Sequence, residues 1–351
     1  MAYTTINDPA LYFNTIGYTG AGGTQAITGV GFQTAFVWIH DRAVGWGATT
    51  YDAVRGTNKV LVPHDTGAED AAETQTYGYL SAFGSDGFTV AEGTSNGRYT
   101  NYPSQTYLSF NWKAGTTSGL SGGTITPSAY SINTTSGFGI YAYTGNETAG
   151  ATITHGLGIV PKMVIVKSRA ATNSWEVFHV ASGNGDAMQL NGTGAGDDST
   201  AYWNDTSPTS SVFSLGDGTD TNRSGTMIGY VFAPVQGYSA MGSFEGTGNA
   251  NGPFVYTGFR PAWLMIKNAT AAGAAWHVYN SKIQGYNVEN HFVEADAPTA
   301  EADDDNLDLL SNGFKIRRHT GHLNTDGETY AYTAFAESPF VNSNGVPNNA
   351  R

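Results

Sequence analysis

Two neighbouring aromatics, Tyr202 and Trp203, stand in the polar run STAYWNDTS and are the first place to look for a binding surface. A phenol or indole face free of apolar neighbours can stack on a sugar ring, with the ring C–H groups against the π surface. Beside Trp203 only Ala201 and Tyr202 are apolar, so the run reads as exposed and Tyr202 and Trp203 as glycan or ligand contacts. Three further tryptophans, Trp46, Trp175 and Trp276, recur at corresponding places. In WEVFH and WHVYN the tryptophan alternates with valine, which puts Trp175 and Val177 on one strand face and Glu176 and Phe178 on the other. That pattern predicts core positions rather than ligand platforms.

Asp303, Asp304 and Asp305, preceded by Glu301, form the densest run of charge. Calcium takes oxygen ligands of this kind, but the central glycine and final glutamate of an EF-hand loop are missing, so a solvated acidic loop outweighs a metal site. His319 and His322 lie three apart beside Arg317 and Arg318, without the HExxH arrangement of a zinc helix, and read as loop residues. Asp65-Thr66-Gly67 resembles one half of an aspartic protease dyad. That chemistry needs two carboxylates sharing a proton, and no second Asp-Thr/Ser-Gly occurs. No GxSxG elbow occurs either, and the glycine runs at 20–23 and 192–196 do not lead into Lys-Ser/Thr. No catalytic residue is assigned and no cofactor is expected, although a glycosidase pair of carboxylates can come from any two places in a chain.

The elements that must position these residues are strands. Charged residues are 13% of the 351, against about 25% in ordinary globular chains, and aromatics also reach 13%. Surface helices need Leu, Glu, Lys and Arg in bulk, whereas Gly, Thr, Ser and aromatics fill turns and pleated strands. A net charge of -13 repels phosphate backbones and anionic head groups, so neither nucleic acid nor membrane insertion is expected. Without cysteine there is no disulfide, thiolate metal site or thiol nucleophile. The N-terminus MAYTTINDPALYFNT has no basic segment followed by an apolar one, which reads as a cytoplasmic product with no signal peptide.

A repeated sentence organises the chain. FVYTGFRPAWLMIK, from Phe254 to Lys267, has counterparts in IYAYTG leading through HGLGIVP to KMVIVK, and in Leu11 to Gly20 leading to AFVWIHDR. Phe36–His40, Met163–Lys167 and Trp263–Lys267 align, and each copy ends in an aromatic strand: YLSFNW, MIGYVF and YAYTAF. Ser85-Asp86-Gly87-Phe88 and Ser311-Asn312-Gly313-Phe314 read as tight turns entering a strand, a feature the middle copy lacks. Strands at this spacing without crossover helices predict an all-β chain of three tandem antiparallel β-sandwich modules of jelly-roll or lectin-like form. Their expected bounds are 1–113, 137–236 and 237–341, with a Gly/Thr/Ser-rich linker at 114–136 and a loose polar tail at 342–351.

The motif P-x-x-h-h-h-K, W-x-h-[YF], G-F-K and Y-h-x-x-A-F-A-E-x-P-F, with its Met-Ala-Tyr-Thr-Thr-Ile start, resembles an uncharacterised repeat in virion structural proteins of marine tailed bacteriophages. It is clearest in FRPAWLMIK, SNGFKIR and YAYTAFAESPF; His40 in place of lysine and the missing middle turn depart from it. The resemblance implies a place on the virion and no catalytic residue. The expected role is a surface-displayed structural protein, tail-associated as a fibre or receptor-binding component. Capsid decoration or head fibre is one alternative, and a depolymerase of the host surface is the other. Expected partners are other virion proteins, a host surface glycan and copies of the chain itself. A homo-oligomer is expected because seven lysines guard few of the strand edges, and the resemblance implies a trimer, since phage fibres and decorations of this kind are often threefold, unless three repeats in one chain already supply that packing.

On this reading, proteolysis between Ala114 and Ser128 leaves a stable fragment of residues 137–341. Trp175→Ala and Trp276→Ala damage folding and Trp203→Ala does not, as melting temperatures would show.

Overall fold

In a computed structural model the alternating aromatic and small polar residues form antiparallel sheets, as the composition predicts. The structure describes residues 2–69, 76–284, 286–319 and 321–348, and of Asp305 and Asn306 the backbone only. The first stretch holds β1 (Phe13–Thr19), β2 (Thr24–Ile27), β3 (Phe36–Asp41), β4 (Ala48–Asp52), β5 (Gly56–Leu61), β6 (Tyr79–Gly84), β7 (Gly87–Ala91) and β8 (Thr106–Trp112). The second holds β9 (Ala129–Asn133), β10 (Phe138–Thr144), β11 (Ala151–Thr154), β12 (Met163–Ser168), β13 (Trp175–His179), β14 (Gly183–Gln189), β15 (Asp197–Asp198), β16 (Val212–Leu215) and β17 (Thr226–Phe232). The third holds β18 (Ser239–Glu245), β19 (Phe254–Tyr256), β20 (Phe259–Asn268), β21 (His277–Asn280), β22 (Glu289–Glu294), β23 (Ala302–Leu310), β24 (Gly313–Ile316) and β25 (Thr329–Pro339).

Each stretch builds one large sheet. Their orders are β1-β8-β3-β4-β5, β15-β14-β13-β12-β17-β10-β9 and β18-β25-β20-β21-β22-β23-β24-β19. Smaller ladders β2-β7-β6 and β11-β16 lie apart from the first two, while β24-β19 extends the third. The apolar runs in β3, β12 and β20 are strands buried on both faces. Phe36 and Trp38, Met163 and Ile165, and Trp263 and Met265 turn into one central cluster shared by all three stretches. Val37 and Ile39, Val164 and Val166, and Leu264 and Ile266 turn into three separate outer cores.

At the centre the aromatics that the closing strands carry meet. Ring centroids of Trp112 and Phe232 are 6.2 Å apart, those of Trp112 and Phe335 5.6 Å, and those of Phe232 and Phe335 6.0 Å, all edge to face. The same register holds each in place, with Phe36 opposite Trp112, Met163 opposite Phe232 and Trp263 opposite Phe335.

A buried asparagine latches each sheet in a way the sequence reading missed. Asn101, Asn222 and Asn324 are wholly buried. Their side-chain oxygens accept the N–H of Ala21, Asn146 and Thr247 at 2.9, 2.9 and 2.7 Å. Each side-chain amide donates to two carbonyls, those of Gly22 and Gly23, of Thr148 and Gly216, and of Asn249 and Arg318. The residue before each accepted N–H is Gly20, Gly145 or Gly246, where a Cβ would come within 2.2, 2.2 and 2.0 Å of a backbone oxygen. Only glycine lets the two backbones approach this closely.

Several sequence expectations are corrected. The segment 114–136 is not a free linker: Ala129–Asn133 is β9, paired with β10, and Ile125 and Ile132 are buried in the second outer core. Its Gly/Ser/Thr content hid two anchoring isoleucines. Of the tail 342–351, the part through Asn348 folds back, with Asn348 bonding Ser338 and Ser343 bonding Asn7, and the rest lies outside the described residues. Register sets Ala48 opposite His40 but Trp175 opposite Lys167, so Trp46 is not the counterpart of Trp175; it is half-buried against Tyr102. The Tyr-Thr-Gly of the third copy begins on the last residue of β19, which pairs with β24 as β2 does with β7. Tyr18-Thr19-Gly20 and Tyr143-Thr144-Gly145 end β1 and β10, whose counterpart is β18.

A core shared by all three stretches makes unfolding common to them. Trp112→Ala is expected to cost about 3 to 5 kcal/mol and to lower a single calorimetric transition as a whole. A nick in the exposed segment 115–119 should leave the pieces together on size exclusion; release of 137–341 would contradict the shared core.

Candidate functional site

Tyr202 stands over an acidic corner of the second stretch. Ser199 caps the short helix α1 (Thr200–Trp203), its side chain accepting the Ala201 N–H, and left-handed Asn204 ends it. The turn leaves Tyr202 half-buried, its hydroxyl donating to Asp197 Oδ2 at 2.8 Å. Beneath lies Glu176, wholly buried, with Oε1 taking the Gln189 side-chain amide at 3.3 Å and Oε2 without a partner among the described residues. Burial, and then the Asp220 and Asp197 charges, push the Glu176 carboxyl up to about 8. Asp220, on a second short helix α2 (Thr219–Asn222), takes the Asn173 side chain and the Ser174 N–H at 2.8 and 3.3 Å. A protonated carboxyl beside aspartates is a pairing that acid–base chemistry uses. Here the protonated member is sealed from solvent.

Trp203 is corrected from a surface platform to a core residue. It is 2% exposed and meets Phe178 edge to face at 6.0 Å. A four-residue helix points alternate positions in different directions, and polar sequence neighbours on the turn did not reveal this. Tyr202 alone of the pair is open. The acidic run is corrected from a loop to strand β23. Asp303 accepts the Asn290 side-chain amide at 2.6 Å and Asp304 pairs with Arg318, while the side chain of Asp305 lies outside the described residues. No cluster of three metal-binding side chains occurs among the described residues. His319 and His322 are exposed, and His322 stacks on buried His277.

Buried polar groups gather instead at the junctions between stretches. At the first, the Thr66 carbonyl accepts Lys167 Nζ at 3.0 Å and the Val62 carbonyl accepts Trp175 Nε1 at 3.0 Å. Glu69 holds Arg169 through two bonds of 2.9 Å and also meets Arg55, which pairs with buried Asp52; Tyr230 of the second stretch donates to that aspartate at 2.8 Å. At the second junction, Trp276 Nε1 donates to the Gln189 carbonyl at 2.9 Å. At the third, His40 Nε2 is 3.0 Å from the Glu294 carbonyl and Glu301 holds Arg42 at 2.6 and 3.1 Å. Asp65-Thr66-Gly67 therefore belongs to a junction. His40 occupies the lysine position in the first stretch, and Arg42 and Arg169 each stand two residues farther on.

The sequence over residues 8–339 matches the family model described as a domain of unknown function, DUF7483. No curated protein sequence matches the chain.

Two outcomes follow from the acidic corner. Trp203→Ala should destabilise by about 3 to 5 kcal/mol, comparable with Trp175→Ala in chemical denaturation. Glu176 holds its proton in the fold up to about pH 8, whereas the unfolded chain releases it near its ordinary value, so its stabilising share is lost as pH rises between them. Glu176→Gln should accordingly gain melting temperature over the parent at pH 9 relative to pH 5; equal differences at both pH values would contradict the assignment.

Proposed function

The chain belongs to the DUF7483 family, and we propose that it is a structural protein displayed on a virus particle, tail-associated, acting by assembly and attachment rather than by a reaction. The observation that carries this reading is the set of junctions closed in a ring, first to second, second to third and third back to first. Buried charge lies at the first of these contacts, where Tyr230 of the second stretch donates to Asp52 of the Asp52–Arg55 pair. A body held this way keeps its shape without disulfides, which suits a part that transmits load on a particle surface. The sequence resemblance supports the particle, and the same body fits a head decoration.

Three sheets meeting at one aromatic point within one chain replace the symmetry that a homotrimer would provide. We therefore assign the free protein as a monomer that docks on another virion protein. Light scattering at micromolar concentration should return 37.0 kDa. Immunogold labelling of intact particles should place it at the tail; labelling of heads would move it to the capsid, and particles free of it would overturn the proposal.

A further inference from the structure

We propose that a cavity on the third stretch binds one pyranose unit of a neutral polysaccharide, between Glu328, His322 and the loop Ala271–Ala274. The cavity holds about 160 Å³ and is also lined by Asn268 and Thr325. One wall is the Ala-Ala-Gly-Ala loop, whose small side chains leave the space unfilled. The lining residue His322 ends a column of three rings. Phe292 stacks on His277 with centroids 4.2 Å apart, and His277 stacks on His322 at 5.2 Å, so the outermost imidazole is exposed and supported from behind. A flat, rigid ring at a cavity wall is a surface for sugar C–H groups.

Glu328 supplies the polar anchor. Its Oε2 takes the side-chain amide of buried Asn268 and, at 3.4 Å, the Tyr330 hydroxyl, while Oε1 has no partner among the described residues. A carboxylate held on one oxygen and free on the other accepts ligand hydroxyls through charge-assisted bonds. The same charge repels an anionic ligand. One carboxylate is too few for calcium, which takes six to eight oxygens. A small polar neutral ligand with hydroxyls and an apolar ring face fits what remains.

The corresponding place in the second stretch is closed. Asp220 precedes the latch Asn222 by two residues, as His322 precedes Asn324, and Asp220 bonds the loop at Asn173 and Ser174. Where the second stretch ties that loop down, the third puts an exposed ring and leaves a cavity. The inference extends the reading of surface attachment by giving the displayed chain a ligand. Its test uses the isolated full chain, so it stands or falls apart from the particle location.

Saturation-transfer NMR with glucose, galactose, mannose and N-acetylglucosamine at millimolar concentration should show transfer to at least one of the four. His322→Ala and Ala272→Phe, both at exposed positions, should weaken that binding at least tenfold with unchanged melting temperature, and Tyr202→Phe should leave it intact. No transfer to any of the four sugars, or transfer undiminished in both cavity variants, would overturn the proposal.

Discussion

The edge-to-face meeting of Trp112, Phe232 and Phe335 is the contact on which the rest of the structure depends. A sheet buried on both faces needs two covers, and each large sheet finds one in its own outer core and the other in its two neighbours. Edge-to-face rings place the positive rim of one against the negative face of the next, which favours this mutual arrangement over parallel stacking. Because each of the three rings sits on a closing strand, Trp112 and Phe232 at the ends of β8 and β17 and Phe335 within β25, a shift of any large sheet would disturb the other two. The three latch asparagines fix those strands from the far end, where the chain turns over Gly20, Gly145 and Gly246.

The junctions around this centre show how a buried position tolerates a change of residue when its hydrogen bond is kept. Lys167 and His40 both reach a carbonyl of the neighbouring stretch at 3.0 Å. Burial lowers the Lys167 amine to about 8 and also lowers the His40 imidazole, the second being the easier group to hold uncharged in the interior. Lys267, at the same register, bonds the Ala274 carbonyl within its own stretch, and its junction relies on Trp276 and backbone pairs. One scaffold thus accepts three polar solutions, each of which gives the buried donor at this position a carbonyl acceptor.

The second and third stretches differ in structure where the latch loops face the loops before the tryptophan strands. In the second stretch that space is filled by a short helix and tied by Asp220; in the third it is open beside Glu328 and His322. In the closed corner burial, and then the neighbouring Asp220 and Asp197 charges, push the Glu176 carboxyl up, whereas the open one holds Glu328 through a single oxygen. Repeats that share one core can differ at their rims because loop residues carry little of the common packing.

The sequence by itself determined the strands and their faces. The runs at Phe36, Met163 and Trp263 and the alternation at Trp175 and Trp276 state burial directly, since side chains on a strand alternate with a period of two. The all-β class and the antiparallel pairing follow from them, as do the tight turns before Phe88 and Phe314. Tertiary structure decided which strands correspond and what their second faces meet. Tyr-Thr-Gly recurs on two different strands, Trp46 falls two residues from the Trp175 position, and Trp203 turns inward from a polar run. Each depends on partners far away in the chain, and a local pattern records a residue's alternation without recording the surface it will face. The Glu328 cavity is of the same kind: its lining comes from segments about fifty residues apart that only the paired sheet brings together.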